Sequence, residues 1–394
     1  MTTTADPAPA APRARFTWFD GKRWMWPLAL LVPLLPFMGY ALVEKTGHNA
    51  WYLIGPLMVF GLVPLLDWFV GNDGGNPPET LVAALQEDRF YRWVTYLYLP
   101  LMFAALVLCA HQWVTADLGF WGRFGLVLTM GTVAGIGINT AHELGHKRES
   151  LERALSVIAL SPTFYGHFYV EHNRGHHVRV ATPEDPASAR LGEPFYRFLP
   201  RTVWGSLKSA VTLEWAALRL RKKNPWSLRE NDVLKAWSLS VVLWAGLLIA
   251  FGIEVLPFLV LQAFVGFSLL EAVNYLEHYG LKRGRNEAGR YERVDARHSW
   301  NSDRLATNLF LLQLQRHSDH HANPTRRYQV LRSLDISPQL PMGYNAMIVV
   351  SLCPPLWRRV MDFRVVDHYD GDIELANIDP RSARRLRAKY APAS

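Results

Sequence analysis

The sequence predicts an all-α integral membrane protein with six transmembrane helices. Half of its 394 residues are apolar and only 19% are charged. The apolar residues are gathered into six blocks of about 20 residues, the length of helix that crosses a bilayer. The polar residues are clustered too, because nine of the fourteen histidines fall in four short motifs. We therefore predict that the helices position a histidine-rich metal site on the cytoplasmic side.

The six blocks follow one another as helical hairpins. The first two are joined by only a few residues, and so are the third and fourth, while the fifth and sixth turn around Glu254. Short connections of this kind favour antiparallel neighbours. The predicted spans are approximately residues 24–43, 51–70, 95–115, 121–140, 236–253 and 255–274.

The distribution of basic residues predicts the orientation. Of the 42 Lys and Arg, 15 lie between Ala141 and Lys235 and 19 follow His278. An even number of crossings places both segments on one side, which the positive-inside rule assigns to the cytoplasm. We expect a multi-pass protein of a bacterial-type inner membrane with both termini cytoplasmic. The net charge of +8 then belongs to a membrane face, and no nucleic-acid partner is predicted.

Composition divides the chain into three segments. Residues 1–16 are rich in Ala, Pro and Thr and are predicted to be disordered. Residues 17–380 form a single membrane-embedded domain, and residues 381–394 form a basic C-terminal tail.

Two segments between the fourth and fifth blocks need separate treatment. The apolar stretch 154–170 is interrupted by Ser161, Pro162 and Gly166, which favours a buried or re-entrant piece over a seventh crossing. Residues 204–223 are amphipathic at helical spacing and end in a cluster of cations. They predict a helix lying in the membrane interface, with an ordinary soluble-domain helix as the alternative.

The histidine motifs are H-x3-H at His142 and His146, H-x3-HH at His172, His176 and His177, and H-x2-HH in the C-terminal part, with a lone histidine in NYLEHYGL. Residues four apart share one face of a helix, so each cluster can direct two imidazoles at a common centre. Packing alone gives no reason to repeat adjacent histidines. The last two motifs contribute His278, His317, His320 and His321.

Imidazole ligands suit iron, zinc, copper and nickel, so ligand type alone does not choose the metal. A zinc site needs about four ligands, and nine histidines are enough for two metals. Nearby carboxylates are candidates to orient the imidazoles: Glu143, Glu171, Glu277 and Asp319. With only Cys109 and Cys353 in the chain, an iron-sulfur electron donor would have to be another protein.

The motif HELGH also fits the zinc protease pattern H-E-x-x-H, in which Glu143 would activate water. A membrane-embedded protease would leave the other seven histidines of the four motifs unexplained. This reading is the distant alternative.

The combination of HELGHK, EHNRGHH, NYLEHYGL and LQRHSDHH resembles the integral-membrane di-iron alkane monooxygenases, within the membrane fatty acid desaturase and hydroxylase superfamily. The segment LPMGYNAMIVVSLCPPLWRRVMD is similar to the C-terminal region of that family. The resemblance covers approximately residues 20 to 365, and no matching histidine departs from the pattern.

The resemblance implies terminal hydroxylation of linear alkanes to primary alcohols, using O2 and electrons from rubredoxin, itself reduced by a rubredoxin reductase. An alkane would reach the site from the membrane lipid through an apolar tunnel, and the basic face would suit an acidic donor. The resemblance also implies that two non-heme iron ions are bound by His142, His146, His172, His176, His177, His278, His317, His320 and His321.

Other histidines and other functions stay open at this point. His298 is expected to act behind a ligand or near the substrate, whereas His48, His111, His167 and His368 are expected to be packed or solvated. A membrane di-iron fatty-acyl desaturase or lipid hydroxylase would share the same clusters and is the main alternative. A non-catalytic heme or metal carrier is the binding-protein alternative.

Overall fold

The computed structural model of the protein describes residues 21–390, so the predicted disorder of residues 1–16 lies outside the described residues. Six helices are long and apolar enough to cross a membrane, as predicted. Each overlaps its predicted span, and most extend beyond it into polar residues. The third begins at Arg89, where the Asp88 side chain accepts a hydrogen bond from the Phe90 amide and caps the helix. The six spans are Arg23–Thr46, Asn49–Val70, Arg89–Thr115, Gly119–Gly145, Asp232–Phe251 and Ile253–His278.

The fourth spanning helix, Gly119–Gly145, is the central element of the bundle and is buried from Gly131 to its end. Its glycines allow the neighbouring helices to approach closely. A Cβ atom on Gly125 would lie 2.7 Å from the Tyr52 carbonyl carbon, and one on Gly131 would lie 2.5 Å from the Val265 Cβ. Small residues at helix contacts are the usual basis of close packing in membranes. This packing fixes the position of the HELGH motif at the end of the helix.

The segment predicted to be re-entrant does not form a seventh spanning helix. A helix, Ser150–Ala159, leads to a 3-10 turn at Ser161–Thr163, where the Pro162 carbonyl accepts a hydrogen bond from the Gln262 side chain at 2.7 Å. Gln262 precedes His278 by sixteen residues, which is about 24 Å along a helix. The turn therefore lies deep beside the sixth spanning helix, and the chain then returns towards the histidines.

The long helix between the fourth and fifth spans, Phe195–Leu220, is hereafter the surface helix. It begins nine residues before the start of the predicted amphipathic segment, residues 204–223, and ends three residues before the end of that segment. Its buried face is mainly small or polar and includes Thr202 and Glu214, whereas Trp204 is exposed. Its placement in the membrane interface stays a prediction.

Shorter helices complete the structure, and the described residues contain isolated β-bridges but no strand. The predicted basic tail includes the helix Ala383–Tyr390, whose Leu386 is buried beside Gly192. The division of the chain into a domain and a tail stays a prediction. The remaining short helices are Glu79–Glu87, a helix over 168–179, Leu305–Phe310, His317–Ala322, Tyr344–Ser351 and Pro354–His368.

Candidate metal centre

The four histidine motifs, far apart in sequence, meet at one end of the helix bundle. Their nine imidazoles form two adjoining groups, and within each group one ring nitrogen per residue lies within 4.8 Å of all the others. The first group has five members: His142, His146, His172, His177 and His320. The second has four: His176, His278, His317 and His321.

The middle cluster divides its histidines in a way that the sequence spacing did not predict. We expected residues four apart to share a centre, but His172 and His176 belong to different groups. The reason is that His172–His176 forms a π-helix, in which residues five apart are aligned. His172 and His177 therefore come together, with their Nε2 atoms 3.1 Å apart. One short segment thereby supplies ligand atoms to both groups.

The C-terminal cluster is held by a buried arginine. The helix His317–Ala322 places His317 and His321 on one face, with their Nε2 atoms 2.9 Å apart, and His320 on the other. Arg316, just before it, is fully buried and donates hydrogen bonds to the carbonyl oxygens of Leu331 and Asp73, both at 2.7 Å. This guanidinium fixes the start of the helix relative to two loops.

The inward-facing nitrogens have the chemistry of metal ligands. The Nε2 atoms of His142, His146, His176 and His278 are buried without a hydrogen-bond partner. Burial, reinforced by the neighbouring imidazoles, holds the pKa of His172 and of His320 well below the usual value, so these rings stay neutral. Neutral imidazoles with unshared lone pairs directed at a common point fit divalent metal ions, and leaving such atoms buried and unpaired is otherwise costly.

Two of the outward-facing nitrogens have hydrogen-bond partners, and a third lies near a carboxylate. His176 Nδ1 lies 2.9 Å from Asp185 Oδ2, and His278 Nδ1 donates to the His298 carbonyl oxygen at 3.1 Å. His317 Nδ1 lies 3.2 Å from Glu277, without the alignment of a hydrogen bond. The hydrogen bonds of His176 and His278 select the tautomer in which Nε2 carries the lone pair.

Of the four predicted orienting carboxylates, only Glu277 lies beside a ligand candidate. Glu143 accepts hydrogen bonds from Lys147 and from the Tyr328 amide, and Glu171 pairs with Arg179. Asp319 binds Arg326 through both of its oxygens. These three carboxylates hold the surrounding segments together instead.

Sequence reasoning missed Asp185, which lies nine residues after His176 in a segment without helical periodicity. No spacing rule connects the two residues, because the intervening turn brings them together only in the fold. The one available signal was an acidic residue between two prolines close to the motif. His298 was expected to act behind a ligand or near the substrate. It does contact His278, but through its backbone carbonyl and not through its ring.

The chain is also similar to known proteins over most of its length. Residues 118–351 match the fatty acid desaturase family. The chain is 42% identical to alkane 1-monooxygenase from Acinetobacter baylyi over 94% of this chain and 91% of that one. It is 45% identical to alkane 1-monooxygenase 1 from Alcanivorax borkumensis over 94% and 92% of the two chains. The chain belongs to the alkane 1-monooxygenase family.

A more distant relative is named for a different kind of substrate. The xylene/toluene monooxygenase hydroxylase component of Pseudomonas putida is 27% identical over 59% of the chain. Similarity to this chain therefore extends to proteins that are named for different substrates.

The geometry of this family member argues against the zinc protease alternative. That reaction requires Glu143 to face the metal-bound water. Here the Glu143 carboxylate is 2.9 Å from the Lys147 ammonium and accepts a hydrogen bond from the Tyr328 amide. His142 and His146 converge with three further histidines. The H-E-x-x-H pattern is therefore part of a larger imidazole site.

A narrow apolar cavity lies within the bundle, lined in part by segments that also carry histidines of the centre. Two of its lining residues, Asn139 and Leu314, each precede a histidine of the centre by three residues. Val59 and Phe60, on the second spanning helix, belong to a π-helical turn at Met58–Leu62. The other lining residues are Gly135, Ile136, Leu269, Leu270, Val273, Leu311, Asn345 and Ile348.

The remaining histidines lie outside both groups of potential metal ligands among the described residues. The His298 ring accepts a hydrogen bond from the Asp295 amide at 3.0 Å and lies 3.2 Å from Glu292. His368 lines a surface pocket with it. Neither His48, His111 nor His167 joins a group of potential metal ligands among the described residues.

Proposed function

We propose that this multi-pass membrane protein inserts one atom of O2 into a terminal C–H bond of a linear alkane, giving a primary alcohol. The observation that carries the proposal is the convergence of nine imidazoles, seven buried and two partly exposed, in groups of five and four, on a bundle that also holds an apolar cavity. Relatives named alkane 1-monooxygenase, at 42–45% identity, support the choice of substrate.

The metal ions of the proposal are two irons, with the five-histidine and four-histidine groups as their respective ligands. Iron bound there would supply the redox chemistry by which O2 is activated. The chain itself contributes neutral ligands, fixed by Asp185 and by the His298 carbonyl. It also contributes a cavity whose apolar walls exclude water and position an alkane by shape, because an alkane has no polar group to recognise.

The test begins with the full-length protein in detergent. Iron and zinc are counted per chain, and the product of a linear alkane is identified with rubredoxin, its reductase and NADH present. We expect two irons and a primary alcohol. Full activity with one zinc and no iron would contradict the proposed centre, and a new double bond would identify a desaturase instead.

The cavity predicts how chain length is selected. Val59 lines it and is 3% exposed, whereas Leu57, on the same helix, is 62% exposed towards the lipid. Val59→Phe is expected to reduce turnover of the longest accepted alkane by roughly tenfold, about 1.4 kcal/mol of steric cost, and to spare short ones. The measurement is a product profile over a series of alkanes. Leu57→Phe is the matched control. An equal change in the product profile of both variants would show that this cavity does not select chain length.

The electron donor of the proposal is rubredoxin, docking on the histidine end of the bundle. His146 and His177 are partly exposed there, so an electron could enter at a ligand edge. We propose that this end faces the cytoplasm across a bacterial inner membrane, with both termini in the cytoplasm. The positive-inside rule supports this orientation, because 34 of the 42 Lys and Arg lie between Ala141 and Lys235 or after His278.

Docking by charge predicts a strong effect of salt. Raising the ionic strength to about 0.5 M is expected to raise the KM for reduced rubredoxin several-fold, because screening slows the encounter of oppositely charged surfaces. The kcat at saturating donor should change little. A KM that is indifferent to salt would count against electrostatic docking.

A further inference from the structure

A cleft beside the metal centre is lined by four basic residues. It lies between residues 183–190 and the surface helix, and its volume is about 410 Å³. Asp185 forms part of its wall and contacts His176, a histidine of the four-membered group. We call it the cationic cleft, after Arg179, Arg190, Arg201 and Lys208.

Two of these cations already have partners. Arg201 donates to Glu193 through Nε and Nη2, both at 2.8 Å, and to the Pro186 carbonyl through Nη1. Arg179 donates to Glu171 and to Ser209, both at 2.7 Å, but its Nε is buried without an acceptor. These contacts build the wall of the cleft and leave one buried donor unsatisfied.

The other two cations, Arg190 and Lys208, make no side-chain hydrogen bond or ion pair within residues 21–390. The carboxylates of the cleft do not neutralise them, because each is already engaged. Glu184 binds Tyr291 and Arg285, and Asp185 binds His176 and Ser188. The cleft therefore has unpaired positive charge in a concave site, which favours a compact anion with several acceptor oxygens.

The surface helix indicates where such an anion would come from. Trp204 is exposed one turn before Lys208, and the apolar residues Leu207, Val211 and Trp215 are only partly buried on the adjoining face. A helix with an apolar stripe beside cations is typical of the headgroup layer of a membrane. Cations at that depth attract anionic lipids.

We propose that the cationic cleft binds the phosphate group of an anionic membrane lipid, with Arg190 and Lys208 as its main contacts. This site is separate from the alkane cavity, and it places a lipid headgroup against the wall that carries Asp185. A concave cleft suits a headgroup better than the broad surface of a protein partner.

The test uses the full chain in detergent and dihexanoyl phosphatidylglycerol as a soluble probe, with bound lipid counted by native mass spectrometry. Arg190→Gln and Lys208→Gln are each expected to weaken binding roughly fivefold, the usual effect of one cation at an anionic surface. Lys222→Gln is the matched control, because Lys222 lies just beyond the same helix and is exposed. It should bind as the wild type does, and dihexanoyl phosphatidylcholine should bind more weakly to all of them.

Each contrary result overturns the proposal. Unchanged phosphatidylglycerol binding in both cleft variants would show that the lipid binds elsewhere. Inorganic phosphate binding as tightly, with the same loss in the variants, would identify a site for a free anion. Unchanged lipid binding with a raised KM for reduced rubredoxin would identify a protein docking site. Because binding is measured without turnover, failure here is distinguishable from failure of the proposed alkane hydroxylation.

Discussion

Replacing His177 by Gln is expected to abolish alkane hydroxylation, by at least about 100-fold, and to reduce the iron content. His177 lies where the two imidazole groups meet. Its Nε2 is 3.1 Å from that of His172 and 3.3 Å from that of His320, and its ring centre is 4.4 Å from that of His321. Loss of a partner that only supports a ligand typically costs 10–100-fold, so loss of the ligand itself should cost at least the upper figure.

Partial exposure makes His177 a good position for this test, because Gln at the surface of the centre should not prevent folding. The measurements are iron per chain, turnover of a linear alkane and the midpoint of thermal unfolding in detergent. His298→Gln is the matched control, since the contact of His298 with His278 runs through a backbone carbonyl that the substitution keeps. Equal iron and turnover in both variants would remove His177 from the centre.

The spanning helices were predictable because each carries its own signal. An apolar block of about 20 residues needs no partner to be recognised, and the structure has six such helices at the predicted places. Their ends were less predictable. They depend on polar residues such as Asp88, whose cap begins the third helix six residues before the apolar block.

The centre was predictable to the level of residues but not of geometry. All nine histidines of the four motifs lie in the two groups. The sequence identified them because packing alone gives no reason for adjacent, repeated histidines. Which of them share a group depends on a π-helix at His172–His176, and a pattern based on 3.6 residues per turn does not contain it. The partner of His176 depends on a turn that only the complete fold positions.

That partner gives the second large effect. Asp185→Asn is expected to lower metal affinity, and turnover with it, by about 10–100-fold. Asp185 Oδ2 accepts hydrogen bonds from His176 Nδ1 at 2.9 Å and from the Ser188 hydroxyl at 2.6 Å. Its Oδ1 accepts one from the Ala187 amide at 3.2 Å. Burial opposes ionisation, but attraction to His176 and these hydrogen bonds outweigh it and lower the pKa of Asp185 to about 2. The wild-type carboxylate therefore stays charged at neutral pH.

Asparagine fills the same space but has only one acceptor oxygen. If that oxygen faces His176, the negative charge behind the imidazole is lost and an amide donor faces the Ala187 N–H. If the amide faces His176 instead, Nδ1 must accept, and the ring proton moves to Nε2, where it blocks the lone pair directed at the centre. Both arrangements weaken the ligand, although the fold around it is kept.

The measurement is the rate at which a chelator removes iron from each variant, together with turnover and thermal unfolding. Glu184→Gln is the matched control, because Glu184 is the adjacent carboxylate but is exposed and bonded to Tyr291 and Arg285. We expect faster iron loss in Asp185→Asn and wild-type behaviour in the control. Iron loss at the wild-type rate in Asp185→Asn would mean that His176 needs no charged partner, and that the contact serves only to close the turn between them.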